Sequence, residues 1–152
     1  MRMSQNEIFF GMVKLLEQRS TCLRRNVGAV LVRDGIVLST GYNGSPNDFE
    51  HCEECLRKVE GIPSGTRLEF CRAVHAEQNA LIQCAIKQTD PRGSTLFCTA
   101  SPCVTCAKLL IQAGVQQIYY LVYYPDKLAI EMIKYANIGL FKYDLEKKGV
   151  VR

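Results

Sequence analysis

The spacing of apolar residues changes from helical to strand-like early in the chain. Residues 4–19 carry an apolar stripe at helical spacing, which predicts an amphipathic helix. The stripe consists of Ile8, Phe9, Met12, Leu15 and Leu16. Two runs rich in Val, Ile and Leu then flank Asp34-Gly35, a dipeptide typical of tight hairpin turns. The pattern therefore predicts a helix followed by an antiparallel pair of strands.

Beyond residue 74 the apolar pattern alternates between helical and strand-like segments. Helices are predicted over about 75–87, 103–113 and 126–137, and strands over about 94–100, 116–124 and 138–143. Gly114 follows the second of these helices, in the position of a C-terminal cap. This order predicts an α/β sandwich with a mixed sheet, in which an antiparallel pair is followed by parallel strands.

One segment, at about residues 47–72, follows neither pattern. It is rich in charged residues and contains Gly61, Pro63, Gly65 and three of the cysteines. We interpret it as an irregular insertion, with a short helix near residues 55–60. The sequence shows no internal repeat or linker, so we predict a single domain over 1–152 that carries this insertion.

Composition and charge narrow the classes of function. Of the 152 residues, 47% are apolar and 22% are charged, which is ordinary for a globular protein. No apolar run approaches the roughly 20 residues that span a bilayer, and charges interrupt the N-terminal segment. We therefore expect a cytoplasmic protein with no membrane partner. A net charge of +4 without a block of Lys or Arg argues against nucleic acid as a partner.

Eight cysteines need an explanation, because disulfide frameworks are rare in a reducing compartment. Clustered Cys and His point first to a metal site. His75 and Glu77 open one predicted helix in "HAE", and Cys103 and Cys106 open another in "PCVTC". A catalytic zinc takes three protein ligands and leaves one position open for water, and His75, Cys103 and Cys106 supply three. A helix N-terminus also favours thiolates over thiols.

These two segments match the H-x-E and P-C-x-x-C signature of zinc deaminases. In that chemistry a zinc-activated water attacks C4 of a cytosine ring. Glu77 lies two residues beyond His75, where its carboxylate reaches the water rather than the metal, and it would transfer the protons. A closed structural zinc site is the alternative. Two features argue against it: only three ligands are evident, and Glu77 stands where a proton carrier is needed.

The sequence resembles the deoxycytidylate (dCMP) deaminases, including the ComE-operon and phage types. Four stretches carry the resemblance and span most of residues 20–121: "STCLRRNVGAVLVRDG", "STGYNGSPNDFEHCEEC", "CRAVHAEQNAL" and "SPCVTCAKLLIQAGVQQIYY". The "GYNGSP" loop and the insertion after it resemble this branch more than the tRNA adenosine or free cytidine deaminases.

The resemblance implies a three-layer α/β/α sandwich, with a five-stranded sheet and helices on both of its faces. It implies hydrolysis of dCMP to dUMP and ammonia, which supplies thymidylate synthesis. It also implies a homo-oligomer, commonly a hexamer, and several members of the family are activated by dCTP and inhibited by dTTP.

The resemblance also suggests residues that contact the substrate. Asn43 in "GYNG" would contact the sugar, the backbone of Ala76 would face the pyrimidine ring, and Ser101 would line the same pocket. The 5′-phosphate needs cations or a cluster of N–H groups. Arg24 and Arg25 are candidates, and so are Arg67, Arg72 and the backbone of Gly44-Ser45. For each arginine, a role as a solvated surface charge is equally compatible with the sequence.

Four further cysteines suggest a second zinc. Cys22 and Cys52 fall where some dCMP deaminases place ligands of a structural zinc, and Cys55 and Cys71 could complete a four-cysteine site. His51 competes for one position, and free thiols are the alternative. A metal would stabilise an insertion that has little core of its own. Cys84 and Cys98 are instead predicted to be buried small hydrophobes.

Rival functions follow from the same signature. The chain could deaminate another base or nucleoside, such as cytidine, guanine or a base in nucleic acid. It could also be a non-catalytic zinc protein that only binds nucleotides. The absence of Trp and the mild charge argue against a nucleic-acid editor, which needs stacking aromatic residues and a basic groove. An intact Glu77 argues against a non-catalytic protein.

Overall fold

The computed structural model describes residues 1–151. The helices are α1 (Gln5–Glu17), α2 (Leu56–Val59), α3 (Ala76–Ile86), α4 (Val104–Gln112) and α5 (Lys127–Tyr135), with a 3-10 turn over Leu68–Phe70. The strands are β1 (Gly28–Arg33), β2 (Ile36–Tyr42), β3 (Thr95–Ala100), β4 (Gln117–Val122), β5 (Gly139–Asp144) and β6 (Gly149–Val151). Each helix and strand that the apolar pattern predicts is present. Within residues 1–151, none of the helices is long and apolar enough to cross a membrane.

The strands form one mixed sheet in the order β2-β1-β3-β4-β5-β6. Strand β1 is antiparallel to both β2 and β3, whereas β3, β4 and β5 run parallel to one another. The predicted mixed sheet is thus confirmed, but it has six strands rather than the expected five. The sixth arises because the Asp144 carboxylate accepts hydrogen bonds from the N–H groups of Glu146 and Lys147, at 2.9 and 3.0 Å. This turn brings β6 back antiparallel to β5.

Helices cover both faces of the sheet, as expected for three layers. Alternate residues of β1 divide between two apolar clusters: Ala29 and Leu31 belong to the cluster that contains α3, α4 and α5. Val30 and Val32 belong to the other cluster, which contains α1. The site described below lies at the end of the three-helix layer.

The buried side of α1 differs from the predicted stripe. Phe9, Phe10 and Val13 are buried, whereas Ile8 and Leu15 are largely exposed. Phe10 determines this orientation, because its ring lies 4.7 Å from that of Tyr143 and 5.3 Å from that of Phe97. Aromatic pairs at these centroid distances stabilise beyond simple burial, so the helix turns its two Phe residues towards the sheet.

Helix α3 packs very closely against β2. A Cβ atom on Gly41 would lie only 2.2 Å from the carbonyl oxygen of Ala76, so only glycine allows this approach. One turn further along, the Ser39 hydroxyl donates to the carbonyl of Ala80 at 2.8 Å. The first turn of α3 is therefore fixed against the sheet.

The insertion leaves the domain and returns to it at one point. Gly44 and Val74, which flank the insertion, exchange two backbone hydrogen bonds of 3.2 and 2.9 Å. These bonds hold the two ends of the insertion together. Among the described residues, none between 47 and 72 belongs to either apolar cluster. Contacts with the domain hold the insertion instead: Lys58 donates to the carbonyl of Leu23, and the N–H of Gly65 donates to the Tyr124 hydroxyl.

Candidate active site

The starts of α3 and α4 bring the two predicted motifs together. His75 is the N-cap residue of α3, and Cys103 is the N-cap residue of α4. Cys106 lies in the first turn of α4, so that both cysteines of "PCVTC" are at one helix N-terminus. A sequence separation of 28 residues between His75 and Cys103 becomes a direct contact.

The three side chains have the spacing of a zinc site. The His75 Nδ1 atom lies 3.4 Å from the Cys103 Sγ and 3.3 Å from the Cys106 Sγ. Tetrahedral zinc, with bonds of about 2.0 Å to nitrogen and 2.3 Å to sulfur, separates such atoms by roughly 3.5 Å. Within residues 1–151, this is the one group of three or more ligand atoms gathered closely enough for a metal ion. One nitrogen and two sulfurs also match the preference of zinc.

The electrostatics of the group favour a thiolate. Hydrogen bonds from Cys106 and, to a smaller extent, from His75 together lower the pKa of Cys103 to about 4, although burial opposes the change. The same contact with Cys103, together with burial, raises the pKa of Cys106. Contact with Cys103 also raises the pKa of His75. A divalent cation bound here would displace the proton that the raised pKa keeps on the Cys106 thiol.

Glu77 is a buried acid beside this group. Its side chain is 5% exposed, and burial raises the pKa of its carboxyl group. It lines the same pocket as His75 and Cys103. A raised pKa makes the carboxyl group a better proton acceptor than an exposed glutamate, which suits a general acid and base.

The pocket above the group is lined by five of the residues that the sequence suggested as substrate contacts. Arg24, Arg25, Asn43, Ala76 and Ser101 all line it.

Two of the alternative phosphate candidates, Arg67 and Arg72, are exposed and are not part of its wall. Their guanidinium groups lie over the rings of Phe70 and Phe49. The structure thus separates the arginines that reach the pocket from those that do not.

Asn43 and Ser101 hold the pocket wall through their own hydrogen bonds. The Asn43 amide oxygen accepts from the Ser20 hydroxyl at 2.6 Å and from the N–H of Val27 at 2.9 Å. Its amide nitrogen donates to the carbonyl of Arg25 at 2.8 Å. Ser101 accepts from the N–H of Tyr124 at 2.7 Å. Both side chains therefore fix the loops that present the other pocket residues.

The cysteines proposed for a second zinc are not gathered at ligand distance. Cys22, Cys55 and Cys71 line the pocket wall, whereas Cys52 does not. Across residues 1–151, none of these sulfurs forms a three-ligand group comparable with the one at His75. None of the eight cysteines, all within residues 22–106, forms a disulfide. Cys84 and Cys98 are buried in the apolar core, as predicted.

Arg57 is a pocket residue that the sequence did not single out, whereas Tyr124 is one of a run of four tyrosines at 119, 120, 123 and 124. Arg57 lies in the charged insertion, where nothing in the local pattern distinguishes it from other surface charges, yet it is 7% exposed. Tyr124 follows three other tyrosines on the β4 segment. Its ring packs 5.0 Å from the Arg25 guanidinium group. Tertiary contacts, rather than a motif, show that both residues belong to the pocket wall.

Asp126 connects the starts of two helices. Its carboxylate accepts hydrogen bonds from the N–H of Ala129 at 3.1 Å and from the N–H of Val104 at 2.7 Å. The first caps α5, and the second caps α4 between Cys103 and Cys106. One carboxylate thereby binds two positively polarised helix termini, one of which carries the cysteines.

We expect Asp126→Ala to lower the free energy of unfolding by about 1–2 kcal/mol, because two N–H groups lose their acceptor. Asp126→Asn should cost less, since the amide oxygen still accepts from one of them. Denaturant unfolding of the zinc-loaded proteins measures both values. An alanine variant as stable as the wild type would show that this double cap contributes nothing.

Comparison with known families agrees with this geometry. The family model described as "Cytidine and deoxycytidylate deaminase zinc-binding region" matches residues 3–122. The chain belongs to the cytidine and deoxycytidylate deaminase family. The matched region of this deaminase chain includes α1, the insertion and both halves of the His/Cys/Cys group.

Named relatives and a solved structure show the same likeness. The deoxycytidylate deaminase of Mycobacterium phage D29 is 39% identical over 120 residues, which cover 76% of this chain and 92% of the phage protein. That of Schizosaccharomyces pombe is 34% identical over 93% of this chain, which spans only 45% of the yeast protein. A crystal structure of the dCMP deaminase from cyanophage S-TIM5, in complex with dCMP and dUMP, matches with a TM-score of 0.79 and 34% identity. The match covers 93% of this chain and 98% of that one.

Proposed function

We propose that this deaminase hydrolyses dCMP to dUMP and ammonia. The observation that carries the proposal is a buried acid, Glu77, beside a zinc-type His/Cys/Cys group, in a pocket whose wall includes Arg24 and Arg25. A base can enter such a pocket while the arginines meet an anionic group attached to its sugar. The similarity to the cyanophage enzyme that binds dCMP and dUMP supports the same substrate.

His75, Cys103 and Cys106 would hold the catalytic zinc. The fit rests on the 3.3 and 3.4 Å contacts between the His75 Nδ1 and the two sulfurs, and on the low pKa of Cys103. Zinc bound there supplies a hydroxide nucleophile near neutral pH. The helix N-terminus that bears both cysteines stabilises their negative charge.

Glu77 would carry the protons of the reaction. Its carboxylate accepts a proton from the attacking water and passes it to N3 of the cytosine ring. It then assists transfer of a proton to the 4-amino group, which leaves as ammonia. The raised pKa that burial gives to Glu77 suits an acid that must be protonated and deprotonated within one turnover.

A substrate panel tests the proposed function. Ammonia release is measured with dCMP, CMP, deoxycytidine, dCTP and guanine, each at the same concentration of zinc-loaded protein. We expect dCMP to give the highest kcat/KM of the panel. Preference for another base would support a different deaminase, and no turnover by a fully zinc-loaded protein would favour the non-catalytic alternative.

We also propose a second, structural zinc held by Cys22, Cys52, Cys55 and Cys71. Three of these cysteines share the pocket wall, and the insertion has no apolar cluster of its own among the described residues. Binding would require the four sulfurs to lie closer together than they do in this structure. Two zinc ions per chain, measured on purified protein, would support this site, and one would exclude it.

The remaining parts of the proposal concern organisation and control. A single deaminase domain over 1–152, with an insertion at about 47–72, is supported by the bridge between Gly44 and Val74. Eight free thiols support a reducing, cytoplasmic location. Exposed apolar residues on α3 and α4, including Ile86 and Leu109, support a homo-oligomer such as a hexamer, which light scattering would measure. Adding dCTP or dTTP to the dCMP assay tests both as effectors.

A further inference from the structure

Arg57 is a buried cation that the catalytic group does not use. It lies on α2 of the insertion, is 7% exposed and lines the same pocket as His75 and Glu77. Arginine is almost never so deeply buried unless a partner compensates its charge.

The protein itself satisfies Arg57 only in part. One terminal nitrogen donates to the carbonyl of Thr66 at 2.8 Å and to that of Pro63 at 3.3 Å. The Nε–H group is buried and has no hydrogen-bond partner. Among the described residues, no carboxylate lies within 4.0 Å of the guanidinium group. The guanidinium charge is therefore buried without a carboxylate in direct contact.

Two neighbouring, half-buried arginines on the pocket wall each keep one unpartnered nitrogen as well. Arg24 donates to the carbonyl of Ile62 at 2.9 Å, yet its other terminal nitrogen is buried and unpartnered. Arg25 lies over the Tyr124 ring and also keeps one buried, unpartnered terminal nitrogen. Three cations with free N–H donors around one pocket repel one another, and a dianion placed among them would relieve that repulsion.

We propose that the Nε–H of Arg57 donates to the 5′-phosphate of the nucleotide, and that the insertion thereby selects a nucleotide over the free nucleoside. This inference rests on the proposed function and names the residue that sets its substrate class. Arg57 reaches the phosphate from the insertion, whereas Arg24 and Arg25 reach it from the segment before β1. The phosphate would join the insertion to the domain.

The competing role for Arg57 is a clamp within the insertion, through its bonds to Pro63 and Thr66. A clamp affects the fold and would reduce turnover of a nucleoside and a nucleotide alike. A phosphate ligand affects only the nucleotide. The ratio of kcat/KM for dCMP to kcat/KM for deoxycytidine separates the two roles, because a loss of folded or zinc-loaded protein cancels in the ratio.

The test is this ratio in Arg57→Gln, with Arg67→Gln as the matched control. Arg67 belongs to the same insertion but is exposed and outside the pocket wall. We expect the ratio to fall about 10- to 100-fold in the Arg57 variant, because a charge-assisted hydrogen bond is lost. It should stay at the wild-type value in the Arg67 variant. An unchanged ratio in Arg57→Gln, or an equal fall in both variants, would overturn the proposal.

Two further measurements keep the test decisive. If the wild type deaminates nothing, the proposed function fails. Equilibrium dialysis then compares the affinities of wild type and Arg57→Gln for dUMP and for deoxyuridine, and a loss of preference for dUMP in the variant would still support the phosphate contact. If the variant does not fold, a crystal structure of the wild type with dUMP decides the matter. A phosphate oxygen within hydrogen-bond distance of the Arg57 Nε supports the proposal, and a phosphate beyond its reach overturns it.

Discussion

Replacing Glu77 by glutamine should lower kcat for dCMP by about 10²- to 10⁴-fold and leave the zinc content of the protein unchanged. Glutamine has nearly the same size as glutamate but cannot take up and release a proton. The side chain is 5% exposed, so an amide fits without introducing a cavity or a new charge. The ligand atoms of His75, Cys103 and Cys106 are not altered.

Glu131→Gln is the matched control. Glu131 is also on a helix, but it is exposed and lies on α5, away from the catalytic pocket. This variant should keep both zinc and full activity. If Glu77→Gln instead lost its zinc, the carboxylate would be a metal ligand, and its assignment as the proton carrier would be wrong.

The second large effect is expected for Cys106→Ser. Cys106 is completely buried, and its sulfur lies 3.3 Å from the His75 Nδ1. A hydroxyl is a far weaker zinc ligand than a thiolate. Because even outer-shell partners change metal affinity by about 10–100-fold, we expect loss of this direct ligand to lower zinc affinity by more than about 100-fold. Turnover of dCMP should fall with the zinc content.

Competition with a chromogenic chelator measures the affinity, and Cys84→Ala is the control. Cys84 is equally buried but lies near the end of α3, where its sulfur contacts the Ser39 hydroxyl at 3.2 Å. Its removal should lower stability modestly and leave zinc binding intact. Cys106→Ser with wild-type zinc affinity would contradict the proposed ligand set.

The His75, Cys103 and Cys106 group could be predicted from the sequence because much of its geometry is local. His75 and Glu77 share the start of one helix, and Cys103 and Cys106 share the start of another, so helical spacing alone fixes each pair. Only the contact between the two pairs depends on the tertiary fold. The alternation of strands and helices placed both helix starts at strand ends, where ligands bind in α/β sheets.

Other features depend on contacts between distant residues, which periodicity does not reveal. The stripe on α1 was predicted one position off, because aromatic contacts of Phe10 with Phe97 and Tyr143 determine the buried face. Strand β6 depends on the turn at Asp144. The burial of Arg57 depends on how residues 56–66 fold around its guanidinium group. In each case the local sequence does not distinguish the residue from its neighbours, and only its contact with a distant residue reveals its role.

The most direct test of the account is the stoichiometry of product formation by wild-type protein before and after removal of zinc. We predict that the zinc-loaded chain converts dCMP into dUMP and ammonia in equal amounts. Removal of zinc by a chelator should abolish both products, and added zinc should restore both. Ammonia release that survives zinc removal, or a fully zinc-loaded chain that leaves dCMP unchanged, would contradict the account.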